Sequence, residues 1–578
     1  MAPKHRRLGF LVVLIAVFAV LFIVNRRQKQ AAETADLILI NGKIVTVDAR
    51  FPTAKWIALR GDRIAALGSD AKGYTAHVGD KTEIIDLGGA LAIPGIIESH
   101  GHFMGLGQSK TILDLTKTRS WDEIVALVGE AAKSAKPGEW IQGRGWHQEK
   151  WDRAPEPNID GLPFHDALSK VSPGNPVVLE HASGHSALAN AKAMEVSGIG
   201  RTTKDPAGGR IIRDARGNAI GAFLENAQGL LRRRDGPLSF ADAEARSRKM
   251  IELACRECLV HGVTTFHDAG VSFGTVDLYK KLAGEGALPV RLYVMLGVDS
   301  KALAARGLAY RMIGEFANHL TVRTIKRLID GALGAHTAWL LEPYLDLPAN
   351  DAHPTGLNTE SIEEMKATAE FAIENGFQLA THAIGDRANR EALDIYEAAF
   401  KAHPDKTDLR WRIEHAQHLN SADIPRFGKL GVIPAMQAIH CTSDAPYVLK
   451  RLGEKRAEEG AYVWRKLMDA GSKIPIGTDV PVEPIDPMSN FFAAVTRKLK
   501  DGTTFFPGQK MTREEALRSY TANGAYAAFE AGLKGSLAPG KLADITVLSR
   551  DIMTIPEDQI LLTDVVYTIV GGKVVFQR

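Results

Sequence analysis

The sequence predicts an α/β fold: a (β/α)8 TIM barrel joined to a β-sandwich domain built from both chain ends. Three observations predict it. Strand-like runs separated by Gly and Asp turns crowd both ends of the chain, the pattern of an antiparallel β unit. Between them, eight short β runs alternate with helical stretches, the pattern of a parallel sheet with crossover helices. Finally, residues able to bind a metal recur at the ends of these runs, and a barrel gathers all such ends at one mouth.

With 578 residues the chain has room for two or three structural units. Its 45% hydrophobic and 24% charged residues are those of an ordinary globular protein. A formal charge of +3 gives no support to a nucleic-acid partner. Three cysteines exclude a disulfide framework. Cys255 and Cys258 form a C-x-x-C inside a helical pattern, which places both on one face and reads as core packing rather than a redox pair.

At the N-terminus, Lys4, Arg6 and Arg7 precede the uncharged run Leu8–Val24, and Arg26, Arg27 and Lys29 follow it. This run reaches the low end of a membrane span, about 17–25 residues, and exceeds the about 7–15 residues of a signal-peptide core. Residues 1–30 therefore read as a membrane anchor or signal segment, in first place an uncleaved N-terminal transmembrane helix with the body extracytoplasmic, as in a bacterial periplasm. Export after cleavage is the alternative.

The sandwich is expected from residues 36–89 and 536–578. The first part carries Leu37–Ile40, Lys43–Val47, Trp56–Leu59, Arg63–Leu67 and Glu83–Leu87; the second carries Asp544–Leu548, Val565–Val570 and Lys573–Phe576. The barrel is expected over 90–535. Its runs are Leu91–Ile97, Val263–Phe266, Val290–Met295, Thr324–Ile329, Gln378–Thr381, Arg412–Ile413, Val432–Met436 and Ile474–Ile476. The stretch of about 110–245 after the first run is too long for an unstructured loop, so it reads as an inserted subdomain over the barrel mouth.

The first barrel run leads into Glu98-Ser99-His100-Gly101-His102. Side chains alternate along a strand, so His100 and His102 point the same way just past its end, a ready pair of ligands for zinc. Lys326 lies in the fourth run, the fifth runs into His382, the sixth into His415 and the eighth into Asp479. Four histidines and an aspartate thus meet at one rim.

These stretches, together with Ser183-Gly184-His185, His267-Asp268-Ala269-Gly270, Asp330-Gly-Ala-Leu-Gly334 and Gly540-Lys-Leu-Ala-Asp544, resemble the amidohydrolase superfamily, and within it the amidohydrolase-3 or YtcJ-like group. The resemblance runs from Asp36 to Arg578. It implies one or two divalent metal ions, zinc first, with His100, His102 and Asp479 on one and His382 and His415 on the other. Lys326 would bridge them as a carbamate, because an ammonium group has only donors and cannot ligate a cation; an unmodified Lys326 beside the metal is the alternative. Asp479 would serve as general acid and base, and His185 would help hold the oxyanion.

Trp146, His181, His267, Asp268, Arg387 and Gln437 are candidates for the substrate pocket. The function implied is hydrolysis of a carbon–nitrogen bond other than a peptide bond, in a small N-acyl or cyclic amide. A deaminase or an ester or lactone hydrolase would use the same metal site, and a non-catalytic binding protein on this scaffold is the remaining class. A homo-oligomer is compatible with all of them.

Overall fold

The computed structural model describes residues 34–232 and 239–578. The apolar run Leu8–Val24 lies outside the described residues. Among those described, no helix is long and apolar enough to cross a membrane.

Seven parallel strands stand side by side in chain order: Ile96–Gly101, Val263–Val271, Arg291–Leu296, Leu320–Leu328, Gln378–Ala383, Arg412–His415 and Ile433–Ala435. The eighth place belongs to residues 474–479, which pair irregularly. Met436 bridges Ile476 in parallel, and the Asp479 amide donates to the His100 carbonyl at 2.9 Å. The result is a nearly closed barrel. Gly477 permits the closure, since a Cβ there would stand 2.1 Å from a Glu98 carboxylate oxygen. Glu98 in turn accepts from the Thr478 amide at 2.7 Å and from its hydroxyl at 3.0 Å, tying the first strand to the eighth position.

One expected run divides. Leu91–Pro94 belongs to the sandwich, and the barrel strand begins at Ile96. The break falls at Gly95, whose amide donates to the Asp544 carbonyl and where a Cβ would meet Thr264 at 2.2 Å. The barrel strand then extends further than its apolar residues do. Glu98, Ser99 and His100 are fully buried within it, so His100 sits inside the strand rather than beyond its end.

Strands from the two chain ends share a sheet. Leu91–Pro94 pairs antiparallel with Ile545–Leu548, whose other neighbour is Val565–Val570. A second sheet of Arg63–Gly68, Trp56–Arg60, Leu37–Ile40 and Glu83–Asp86 completes this unit around a core of Leu39, Ile57, Ile545 and Ile569. A buried ion pair, Arg291 to Asp544 at 2.8 Å, joins it to the barrel.

After the helix Phe103–Ser109 the chain leaves the barrel and forms a six-stranded mixed sheet with its own apolar core, including Trp146, Leu179 and Leu224. The chain returns through the helix Phe240–Val260, where Cys255 and Cys258 are buried in the barrel core and unbridged. Burial pushes the Cys255 thiol up to about 12, so it stays protonated and inert.

Candidate metal centre

Strand geometry brings His100, His102, His382, His415 and Asp479 to one rim. The Asp479 Oδ1 lies 3.4 Å from His100 Nε2 and 3.3 Å from His102 Nε2. Its Oδ2 lies 3.9 Å from His415 Nδ1. Ring centroids of His100 and His415 are 4.7 Å apart, and those of His382 and His415 4.4 Å. His415 and Asp479 both sit at positive φ, 74° and 58°, which costs a non-glycine residue energy and is characteristic of functional sites.

The neighbours of these residues fix their orientation. His100 Nδ1 meets the Glu414 carboxylate, which is itself clamped by Arg412 at 2.6 and 2.8 Å. His102 Nδ1 donates to the Ala269 carbonyl at 2.8 Å, and His415 Nδ1 donates to Gln437 Oε1 at 2.8 Å. Each contact leaves the Nε2 of its ring as the ligating atom, as outer partners do in metal sites. His382 is held differently, with Nε2 3.2 Å from the Gly331 carbonyl.

The donor set fits a divalent metal. His100 Nε2 and Asp479 Oδ1 are buried without a hydrogen-bond partner among the described residues, a costly state unless a cation takes up both. Ligand atoms of His100, His102 and Asp479 lie within 4.8 Å of one another, and so do those of His415, His440 and Asp479. Burial drives His382 and His415 well below the usual imidazole range, so both are neutral, as ligation requires. Burial works against the Asp479 charge, yet His100, His102 and His415 hold its carboxyl well below the ordinary range. Lys326 is 3% exposed, and desolvation lowers its pKa despite the Glu414 and Asp479 carboxylates. That raises the share of free amine, the form that reacts with carbon dioxide.

The other sequence candidates divide sharply. His185, from the inserted unit, lines a cavity together with His382, His415, His440 and Asp479. Its Nδ1 is 2.8 Å from Glu225, which outweighs burial and raises the His185 pKa. Gln437 reaches the site through His415. Asp268 accepts from the Phe103 amide at 2.9 Å and from Tyr279 at 2.7 Å, anchoring the chain just after His102.

His267 is buried inside the barrel, bonded to Arg412 at 3.1 Å. Trp146 and His181 belong to the interior of the inserted unit rather than to the cavity wall. The Trp146 indole donates to the Leu179 carbonyl, and His181 bonds Ser183 and Gln148. Arg387 is half exposed on an outer helix, paired with Glu391 and over the Trp339 ring. Residue type is what nominated these four; the face each occupies takes them away from the cavity.

Glu414, Arg412, Glu225 and His440 were not among the sequence candidates. For Glu414 a signal was present: a carboxylate directly after the buried run Arg412–Ile413 needs a charged partner. Glu225 and His440 meet partners from distant segments, whereas Arg412 pairs with Glu414 two residues on.

The amidohydrolase family profile matches residues 83–576. The chain is 34% identical over 558 residues to Protein LONG AFTER FAR-RED 3 of Arabidopsis thaliana, covering 94% of this chain and 92% of the relative. It is 31% identical to the putative amidohydrolase YtcJ of Bacillus subtilis, covering 86% and 91%, and 28% identical to the N-substituted formamide deformylase of Arthrobacter pascens, covering 94% and 98%. Among solved structures, a metal-dependent hydrolase from Pyrococcus furiosus superposes with a TM-score of 0.69 at 28% identity, covering 90% of this chain and all of that one. The chain belongs to the amidohydrolase family and is a hydrolase of that metal-dependent class.

Proposed function

We propose that the protein hydrolyses the carbon–nitrogen bond of a small non-peptide amide, of the N-acyl or cyclic type. The observation that carries this reading is the Asp479 carboxylate, held between His100 and His102 with one oxygen left unpaired in a buried site. His100, His102 and Asp479 would hold one divalent ion, zinc by the character of the donors. His382 and His415 would serve a second, with Lys326 between them as a carbamate. When bound, the metal lowers the pKa of water to about 7 and polarises a carbonyl.

The residues of the chain do the rest. Asp479, ionised and beside the attacking water, takes its proton and passes it to the leaving nitrogen. Glu225 raises the basicity of His185, so the ring can keep both protons and donate one to the oxygen on which charge develops. The Glu414–Arg412 pair keeps His100 in place. The roof supplied by the inserted unit limits the substrate to a small molecule.

The relative that deformylates N-substituted formamides makes formamides the first compounds to try. The test is a panel of N-substituted formamides, N-acyl amino acids and cyclic imides, with matched esters and amidines, on zinc-loaded protein. Turnover of amides above esters is expected, with one or two metals per chain by elemental analysis. Protein that binds no metal, or that prefers amidines or esters, would overturn the assignment. Leu8–Val24 with its basic flanks would anchor the enzyme to a membrane with the body outside the cytoplasm. Recovery of full-length protein in the soluble fraction would count against that.

A further inference from the structure

His440 has no part in the scheme above, yet it lines the same cavity as Asp479 and His415. It stands near the start of the helix Ala438–Leu452, directly after the seventh barrel strand. Its side chain is held from one side only. Gln417 Nε2 donates to His440 Nδ1 at 3.0 Å. A neutral imidazole that accepts at Nδ1 carries its proton on Nε2. This Nε2 is buried and has no hydrogen-bond partner among the described residues, while the residue as a whole is 5% exposed.

An orphaned donor of this kind is costly and persists in native proteins where something outside the chain completes it. A ring nitrogen of His440 lies within 4.8 Å of ligand atoms of both His415 and Asp479. The ring of His440 is nearly parallel to that of His415, 20° between planes at 6.3 Å, so the two line one wall.

We infer that His440 is a further catalytic residue, whose Nε2–H donates to the substrate carbonyl oxygen as the carbonyl becomes tetrahedral, with Gln417 as the positioning residue that fixes its tautomer. As water adds to the carbonyl carbon, the π pair of the C=O bond moves onto oxygen. That oxygen then carries the charge which an N–H group meets best. His185 from the inserted unit and His440 from the barrel would contact it from two different elements. A metal ligand in this position would need the opposite tautomer, which the Gln417 contact disfavours.

The inference rests on the hydrolase reading, so its test has a readout independent of turnover. In His440→Ala, kcat on the best amide should fall by about 10²–10³, the loss that follows removal of one oxyanion donor, with KM changed less than threefold. Metal content should equal that of the wild type. His440→Gln, which restores an N–H group, should recover at least tenfold. Gln417→Leu should lower kcat and change its pH profile, which a merely structural contact would not do.

In parallel, a methylphosphonamidate, a stable tetrahedral anion, is titrated calorimetrically into metal-loaded wild-type and His440→Ala protein. At least tenfold weaker binding by the variant is expected, whether or not any amide in the panel is a substrate. Equal affinity, no binding by the wild type, or loss of metal from His440→Ala would overturn the inference. Failure of the amide panel alone would overturn only the function proposed above.

Discussion

Among the described residues, buried histidines gather at the barrel rim and in the inserted unit. They look alike in sequence and differ in one physical respect. In the inserted unit, His181 bonds Ser183 through Nδ1 and Gln148 through Nε2, and His147 Nδ1 accepts from the Glu149 amide. The two rings meet at a tilt of 52°, with centroids 4.4 Å apart, and burial keeps both neutral. At the rim, His100 Nε2, His440 Nε2 and Asp479 Oδ1 are buried with no partner among the described residues. A group whose hydrogen bonds close within the protein stabilises the fold. A group whose donors and acceptors converge unpaired is built for something the chain does not contain. Burial alone does not separate the two.

The largest expected effects are therefore at the rim. Asp479→Asn keeps the volume and removes the charge, so it should lower kcat by about 10²–10⁴ and reduce metal content, measured by steady-state kinetics and elemental analysis. Unchanged activity would remove Asp479 from its assigned role. Next comes the carboxylate behind the rim. Glu414→Ala leaves Arg412 buried without its partner, which costs about 3–5 kcal/mol. It also frees His100 to turn, so metal affinity should drop about 10–100-fold in a chelator competition. Burial opposes the Glu414 charge, but Arg412 and His100 hold its pKa below the usual range, so Glu414→Gln should behave almost as badly as alanine.

The comparison also explains what was readable in the sequence. His100 and His102 could be placed on one side because strand alternation is a local rule. Asp479 could be placed at the mouth because the count of β runs reached eight, although its own segment pairs irregularly. The metal-binding residue types at run ends and the alternation of β and helical segments thus conveyed the barrel and the rim. What escaped were the partners. Glu414 meets His100 from the sixth strand to the first, and Gln417 reaches His440 across the helix Ile424–Leu430 and the seventh strand. Such pairings depend on the closed barrel and not on spacing along the chain. The same limit explains Trp146 and Arg387, whose residue types suggested a pocket while their faces point to a core and to solvent.

A third test concerns the seam between the first strand and the eighth position. Burial pushes Glu98 up to about 8, against an ordinary 4.5, despite hydrogen bonds from Thr478. The folded protein therefore holds a proton there that the unfolded chain releases near 4.5. This contribution to stability is complete below about 4.5 and is lost as pH rises to about 8. At about 1.4 kcal/mol per unit, the loss over that window is on the order of a few kcal/mol. Thermal unfolding of metal-free protein should show a falling midpoint from pH 5 to pH 8, and Glu98→Gln, which cannot ionise, should flatten it. A midpoint that rises over this range would mean that Glu98 is ionised in the fold.

The smallest effect is predicted for the satisfied group, and it bears most directly on the comparison. His181→Leu removes a ring whose two nitrogens are both bonded, leaving Ser183 and Gln148 without that partner. The cost should be about 1–3 kcal/mol, read from denaturant unfolding. The ring contacts with Trp146 at 4.6 Å and His147 at 4.4 Å make part of that loss a packing term. Metal content should be unchanged and kcat within twofold of the wild type, because no atom of His181 is left open towards the cavity. If the variant instead loses metal or activity while remaining folded, then hydrogen-bond satisfaction fails as the criterion dividing the two histidine groups, and the inserted unit takes part in the chemistry rather than only covering it.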